Sequence, residues 1–196
     1  MTEFLSQDYW NIRYQTEETG WDLKTISPPL KSYIDQLTNK NLRILIPGCG
    51  SGYEAEYLLK QGFKDVTVID FAPLAVQKMQ MYMSDYLNIK IICADFFTYT
   101  GKYDLILEQT FFCAIDPSFR TNYVQKMSEL LKENGKVVGL FFGVQFLNNP
   151  PFGGSQEEYL TLFSNTFNIT LLEPCYNSIK PRQGNELFFN FSKNGK

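Results

Sequence analysis

Apolar positions in this chain fall into short, nearly continuous runs separated by segments of helical periodicity. The run LRILIP (42–47) predicts a buried strand, and DVTVIDF (65–71), IKIICADFF (89–97), YDLILEQTFFCAI (103–115, running into a loop) and KVVGLFF (136–142) predict four more strands. Between them, SPPLKSYIDQL (27–37), YEAEYLLKQG (53–62), PLAVQKMQMYMSDYL (73–87) and DPSFRTNYVQKMSELLKENG (116–135) predict helices. Ser27 and Asp116 are candidate N-caps, and Gly62 and Gly135 stand where helices stop. SQEEYLTLF (155–163) predicts a later helix opened by a capping box of Ser155 and Glu158. ITLLEP (169–174) and NELFFNFS (185–192) predict a closing antiparallel hairpin. Strand and helix in alternation predict an α/β sheet with crossover helices. One domain over residues 1–196 is expected, opened by an arm over 1–25 that carries Trp10, Tyr14 and Trp21.

The stretch IPGCGSGY (46–53) narrows the ligand. Gly48, Gly50 and Gly52 alternate directly after the first strand and before a helix, where a ligand can approach the backbone. The dinucleotide fingerprint needs a glycine three residues after the second, and Tyr53 stands there. No basic residue lies in the loop, so a phosphate is disfavoured, and with it a nucleotide-dependent oxidoreductase. A nucleoside without phosphate fits, which points to S-adenosyl-L-methionine (SAM). Asp70 ends the second strand, 18 residues after Gly52, where a carboxylate can accept both ribose hydroxyls. Asp95 follows the third strand and can take the adenine amine, with Phe96 or Phe71 packing on the ring. Glu108 and Gln109 end the fourth strand, where either can orient the cofactor's amino group or the acceptor.

Composition removes other chemistries. The chain of 196 residues has no histidine, which excludes Ser-His-Asp and Cys-His nucleophile systems and the common zinc enzymes; no metal is expected. Cys49, Cys93, Cys113 and Cys175 form no CxxC pair and are expected as buried free thiols. The net charge of −3 and the lack of a basic tract give no footprint for nucleic acid. No apolar run approaches the roughly 20 residues that span a bilayer, and MTEFLSQDYW does not read as a signal peptide, so a cytoplasmic protein is expected.

These motifs, in this order, resemble the thiopurine S-methyltransferase family, and most of all its thiol/halide branch. The carriers are WNIRYQTEETGWD (10–22), LIPGCGSGYEAEYLLKQG (45–62), VIDFAPLAV (68–76), ADFFTY (94–99), FFCAI (111–115), PPFGGSQEEY (150–159) and SIKPRQGNELFF (178–189). Tyr14 stands where the family commonly has a second Trp, Gln109 where the thiopurine branch has an Arg, and Asn149 where Gly is usual. The tetrad Asn149-Pro150-Pro151-Phe152 matches that of amino-group methyltransferases but follows the fifth strand rather than the fourth.

The resemblance implies a Rossmann-like class I methyltransferase: a seven-stranded, mostly parallel sheet with an antiparallel C-terminal strand and helices on both faces. It implies SAM as cofactor, S-adenosyl-L-homocysteine as product, and a small-molecule acceptor on a monomeric enzyme. Trp10, Tyr14 and Trp21 would cover the cofactor, and aromatic faces suit a sulfonium. Phe111, Phe112, Pro151 and Phe152 are candidates for an apolar acceptor pocket, and Arg182 or Arg13 for pairing with an anionic acceptor. The expected reaction is in-line displacement on a thiol, thiocyanate or halide, which needs positioning in a dry cavity and no strong base. The alternatives are O- or N-methylation on the same fold, with Glu108 or Tyr53 as base, and SAM binding without catalysis.

Overall fold

The computed structural model describes residues 5–148 and 150–194. Seven strands run β1 (Arg43–Pro47), β2 (Asp65–Asp70), β3 (Ile89–Cys93), β4 (Tyr103–Gln109), β5 (Leu131–Phe142), β6 (Phe167–Pro174) and β7 (Glu186–Lys193). The helices are α1 (Gln7–Gln15), α2 (Pro28–Ile34), α3 (Tyr53–Lys60), α4 (Pro73–Tyr82), α5 (Arg120–Leu130) and α6 (Gln156–Phe163). The sheet order is β3-β2-β1-β4-β5-β7-β6. Pairs among the first five strands are parallel, and β7 runs antiparallel to both β5 and β6. The closing hairpin is therefore present, but its return strand inserts beside β5.

Strand alternation feeds two cores. Leu45, Ile106, Val137 and Phe141 pack with α5 and α6, whereas Ile44, Ile46, Leu105 and Val138 pack with α2, α3 and α4. Helices on both faces explain why the runs are apolar throughout. The aromatic content concentrates in the first core, where Phe141 stacks on Phe189 at 4.0 Å between ring centroids. The arm packs through Tyr14, Trp10 and Trp21 against Ala72, Leu74 and Ala75. Ser6 opens α1 by accepting the Tyr9 N–H at 3.2 Å.

Several local expectations change: α2 ends at Ile34 and α4 at Tyr82, short of the helices expected to 37 and 87. α5 stops at Leu130, five residues before Gly135, because Leu131 pairs with Tyr103 and draws LKENG into β5. Ser27 makes no side-chain cap; its own N–H donates to buried Glu54 at 3.1 Å. Ser155 caps α6 by accepting the Glu158 N–H at 3.1 Å, but the Glu158 carboxylate pairs with Arg120 instead of completing a capping box.

Candidate active site

β1 and β4 are parallel, and successive strands are added outward in opposite directions from them, so their carboxyl ends open a crevice. Two depressions meet there. The larger, about 490 Å³, is bordered by Trp10, Tyr14, Trp21, Asp70, Phe96 and Phe111, among others. Such a volume is in the range of small-molecule sites. The smaller is a groove of about 50 Å³ between the glycine loop, Trp21, Asp22, Gln109 and Thr110.

The glycines at 48, 50 and 52 all have positive φ (58°, 51° and 74°). A Cβ on Gly48 would collide with the Phe111 ring, and one on Gly52 with Met79. The loop is thus tied to the wall opposite. Asp70 is 8% exposed and holds the loop: Oδ2 accepts Gly50 N–H at 3.0 Å and Oδ1 accepts Ala72 N–H at 2.9 Å. Burial raises its pKa above the usual carboxylate value, against the backbone N–H groups of Ala72, Gly50 and Phe71. An ionised carboxylate offers about four acceptor positions, so capacity remains for a ligand.

Of the other expected cofactor residues, Phe71, Asp95 and Phe96 border the larger cavity. Asp95 uses Oδ1 to accept Phe97 N–H at 2.9 Å. Gln109 borders the groove, and both polar atoms of its amide are buried without a hydrogen-bond partner among the described residues. A buried amide with neither bond made is costly unless something else fills the groove. Trp21 meets Trp10 and Tyr14 edge to face, at centroid distances of 5.5 and 5.7 Å.

The acceptor candidates divide. Phe111, Pro151, Arg182 and Arg13 border the larger cavity. Phe112 does not: it is 1% exposed in the core against Phe141 and Tyr159. Phe152 is also absent from the cavity wall; its N–H donates to the Cys113 carbonyl at 2.7 Å. Asn149 lies outside the described residues. Arg182 is engaged within the protein, donating to Glu186 at 3.3 Å and to the Trp21 carbonyl at 2.7 Å. It thereby ties the arm to the closing hairpin. Arg13 faces Glu18 at 3.8 Å.

Glu108 is fully buried and does not reach either depression. Tyr53 borders the groove at the start of α3.

Three residues escaped the sequence reading. Asp22 joins arm to loop by accepting the Ser51 hydroxyl at 2.7 Å. Burial opposes its ionisation, but bonds from Ser51 and Lys24 hold its pKa below the usual value. Its only sequence signal is its place beside Trp21. Thr110 borders both depressions at φ 59°, a backbone that its β-branched side chain predicts against. Cys113 borders the larger cavity as a buried thiol. All four cysteines are free, but Cys93 is exposed rather than buried.

This fold, with a glycine loop and an acid at consecutive strand ends, is that of a class I SAM-dependent methyltransferase. A solved structure of this fold superposes with a TM-score of 0.79 at 16% identity, covering 96% of this chain and 87% of the other. It is the Burkholderia thailandensis 1,6-didemethyltoxoflavin-N1-methyltransferase with bound 1,6-didemethyltoxoflavin and S-adenosylhomocysteine. The family model for thiopurine S-methyltransferase matches residues 5–191, and the chain belongs to that family. Members use S-adenosylmethionine, and the chain is a methyltransferase. Among its relatives, a probable thiol methyltransferase 2 from Arabidopsis thaliana is 32% identical over 76% of this chain and 69% of its own length. Thiocyanate methyltransferase 1 of the same plant is 28% identical over 90% and 81%. No helix among the described residues is long and apolar enough to cross a membrane.

Proposed function

We propose that this chain moves a methyl group from SAM to a small soft nucleophile, a thiol, thiocyanate or halide, by direct in-line displacement. The observation that carries the reading is the state of the ionisable groups around the larger cavity. Asp70, Asp95 and Asp116 border it, and each already accepts backbone N–H groups. Burial pushes the Tyr14 phenol far above its ordinary pKa; burial and the charge of Glu108 do the same to the Cys113 thiol. None of these groups is disposed as a base. An acceptor that is already a nucleophile at neutral pH needs none. The thiol and thiocyanate methyltransferases among its relatives support the same acceptor class.

Bound SAM would supply an electrophilic methyl group on a sulfonium. In this reading, the free acceptor positions of Asp70 take the ribose hydroxyls and Asp95 takes the adenine amine. The Gln109 amide and the N–H groups of the glycine loop take the amino-acid end. Phe71 and Phe96 flank the adenine, while Trp10, Tyr14 and Trp21 cover the cofactor. Phe111, Pro151 and Arg182 face the acceptor, and Glu186 keeps Arg182 from holding an anion too tightly.

The test is the pH dependence of initial rate. Thiocyanate carries no titrating proton near neutrality, so above the pKa of buried Glu108, raised to about 7, its rate stays flat from about pH 8 to 10; a thiol's rate rises through the thiol's own pKa, about 8.5 for a cysteine-like thiol. A limb at one fixed pH for both acceptors within that range would indicate an enzyme base and contradict the reading.

A further inference from the structure

The segment after β4, where Thr110 borders both depressions and Phe111 the larger, hangs from a group that touches neither. Glu108 Oε1 accepts two consecutive N–H groups, Phe111 at 2.7 Å and Phe112 at 3.0 Å, and Oε2 accepts the Tyr123 hydroxyl at 2.7 Å. The carboxylate is 0% exposed and Tyr123 is 1% exposed. β5 closes over it so tightly that a Cβ on Gly139 would collide with the Glu108 backbone. Immediately before the two N–H groups stands Thr110 at φ 59°. A β-branched residue holds that backbone only where its surroundings impose it. Thr110 then passes the constraint on, its carbonyl accepting the Cys113 thiol at 3.2 Å. The result is a ledge in which Phe111 faces the cavity and rests on Gly48, while the next ring, Phe112, turns into the core.

We propose that Glu108, braced by Tyr123, is a positioning residue that imposes the Thr110 conformation and so sets the Phe111 ledge between cofactor and acceptor. The proposal rests on the methyltransfer reading above, since only there does the ledge separate two reactants. Three donors converge on one carboxylate, and a carboxylate accepts such bonds more strongly than an amide does. Burial raises the Glu108 pKa to about 7, against the three bonds. Tyr123 and Cys113 are the other titratable groups facing it. A buried acid is costly to keep, and the tilt of the ledge is what it supplies in return.

The test uses Glu108→Gln, close in shape, and Tyr123→Phe, which removes one donor. Amide hydrogen exchange on the ligand-free protein at about pH 8, above the Glu108 pKa, should show the Phe111 and Phe112 N–H groups exchanging about tenfold faster in Glu108→Gln, the factor for about 1.4 kcal/mol of lost bonding. Leu105 and Ile106 in β4 should stay unchanged. S-adenosylhomocysteine affinity, by calorimetry, should stay within about threefold, while kcat falls about tenfold with the best acceptor among iodide, thiocyanate, sulfide and an aromatic thiol. Tyr123→Phe should change exchange and kcat in the same direction by less. Unchanged exchange at Phe111 and Phe112, faster exchange throughout β4 and α5, or an unaltered kcat would each overturn the proposal. Wild-type protein inactive on all four acceptors would overturn the functional reading instead, and exchange would still decide whether Glu108 holds the ledge.

Discussion

Replacing Gln109 by Leu should move two quantities in opposite directions. The Gln109 amide nitrogen and oxygen are both buried at the glycine groove, and neither has a partner among the described residues. Leaving a buried polar group unmatched costs about 1–3 kcal/mol. Leu has a similar volume without the polar atoms, so Gln109→Leu should stabilise the cofactor-free protein by about 2 kcal/mol. For a chain of this size that raises Tm by roughly 4–8 °C. If the amide instead serves the amino-acid end of SAM, the same change removes those bonds and weakens binding by about 1–3 kcal/mol, or roughly 5- to 150-fold. Scanning calorimetry without ligand gives the first quantity, and titration with S-adenosylhomocysteine gives the second. A less stable apoprotein would mean that the amide is already bonded in the free groove, and an affinity within twofold of wild type would refute the assignment of the amide to the cofactor.

Trp21→Ala should weaken S-adenosylhomocysteine binding tenfold or more, since it removes both edge-to-face contacts within the arm; titration calorimetry checks it. Glu108, raised to about 7, keeps its proton in the fold where the unfolded chain, near its ordinary value, has lost it. Its stabilisation is full below about pH 4.5 and lost as pH rises through 7. Glu108→Gln should therefore gain on wild type by a few kcal/mol between those limits in denaturant titrations, and a constant difference would contradict the assignment. Arg182→Met leaves Glu186 buried and unpaired and frees the Trp21 carbonyl, which should cost about 3–5 kcal/mol in urea unfolding; a loss under 1 kcal/mol would mean that the pair is dispensable.

The parallel strands were legible because burial on both faces leaves continuous apolar runs, and the glycine rhythm with Asp70 located the crevice. Burial direction after β4 was not legible. Phe111 and Phe112 are identical neighbours in sequence, and only the turn at Thr110 sends one to the cavity and the other to the core. Thr itself argues against a positive φ, so the ledge has no local signature. The early end of α5 was hidden for a related reason: LKENG has good helix formers, and its pairing beside Tyr103 outweighs them. Glu158 sits in perfect capping-box spacing, yet a buried guanidinium 38 residues away attracts its carboxylate more strongly than an exposed N–H can.

The central claim is methyl transfer to a soft nucleophile. The most direct measurement incubates the protein with SAM and, separately, iodide, thiocyanate, sulfide and an aromatic thiol, and follows S-adenosylhomocysteine and the methylated product by mass spectrometry. The account predicts stoichiometric formation of both with at least one of these acceptors. Tight SAM binding with no product from any of the four would contradict it.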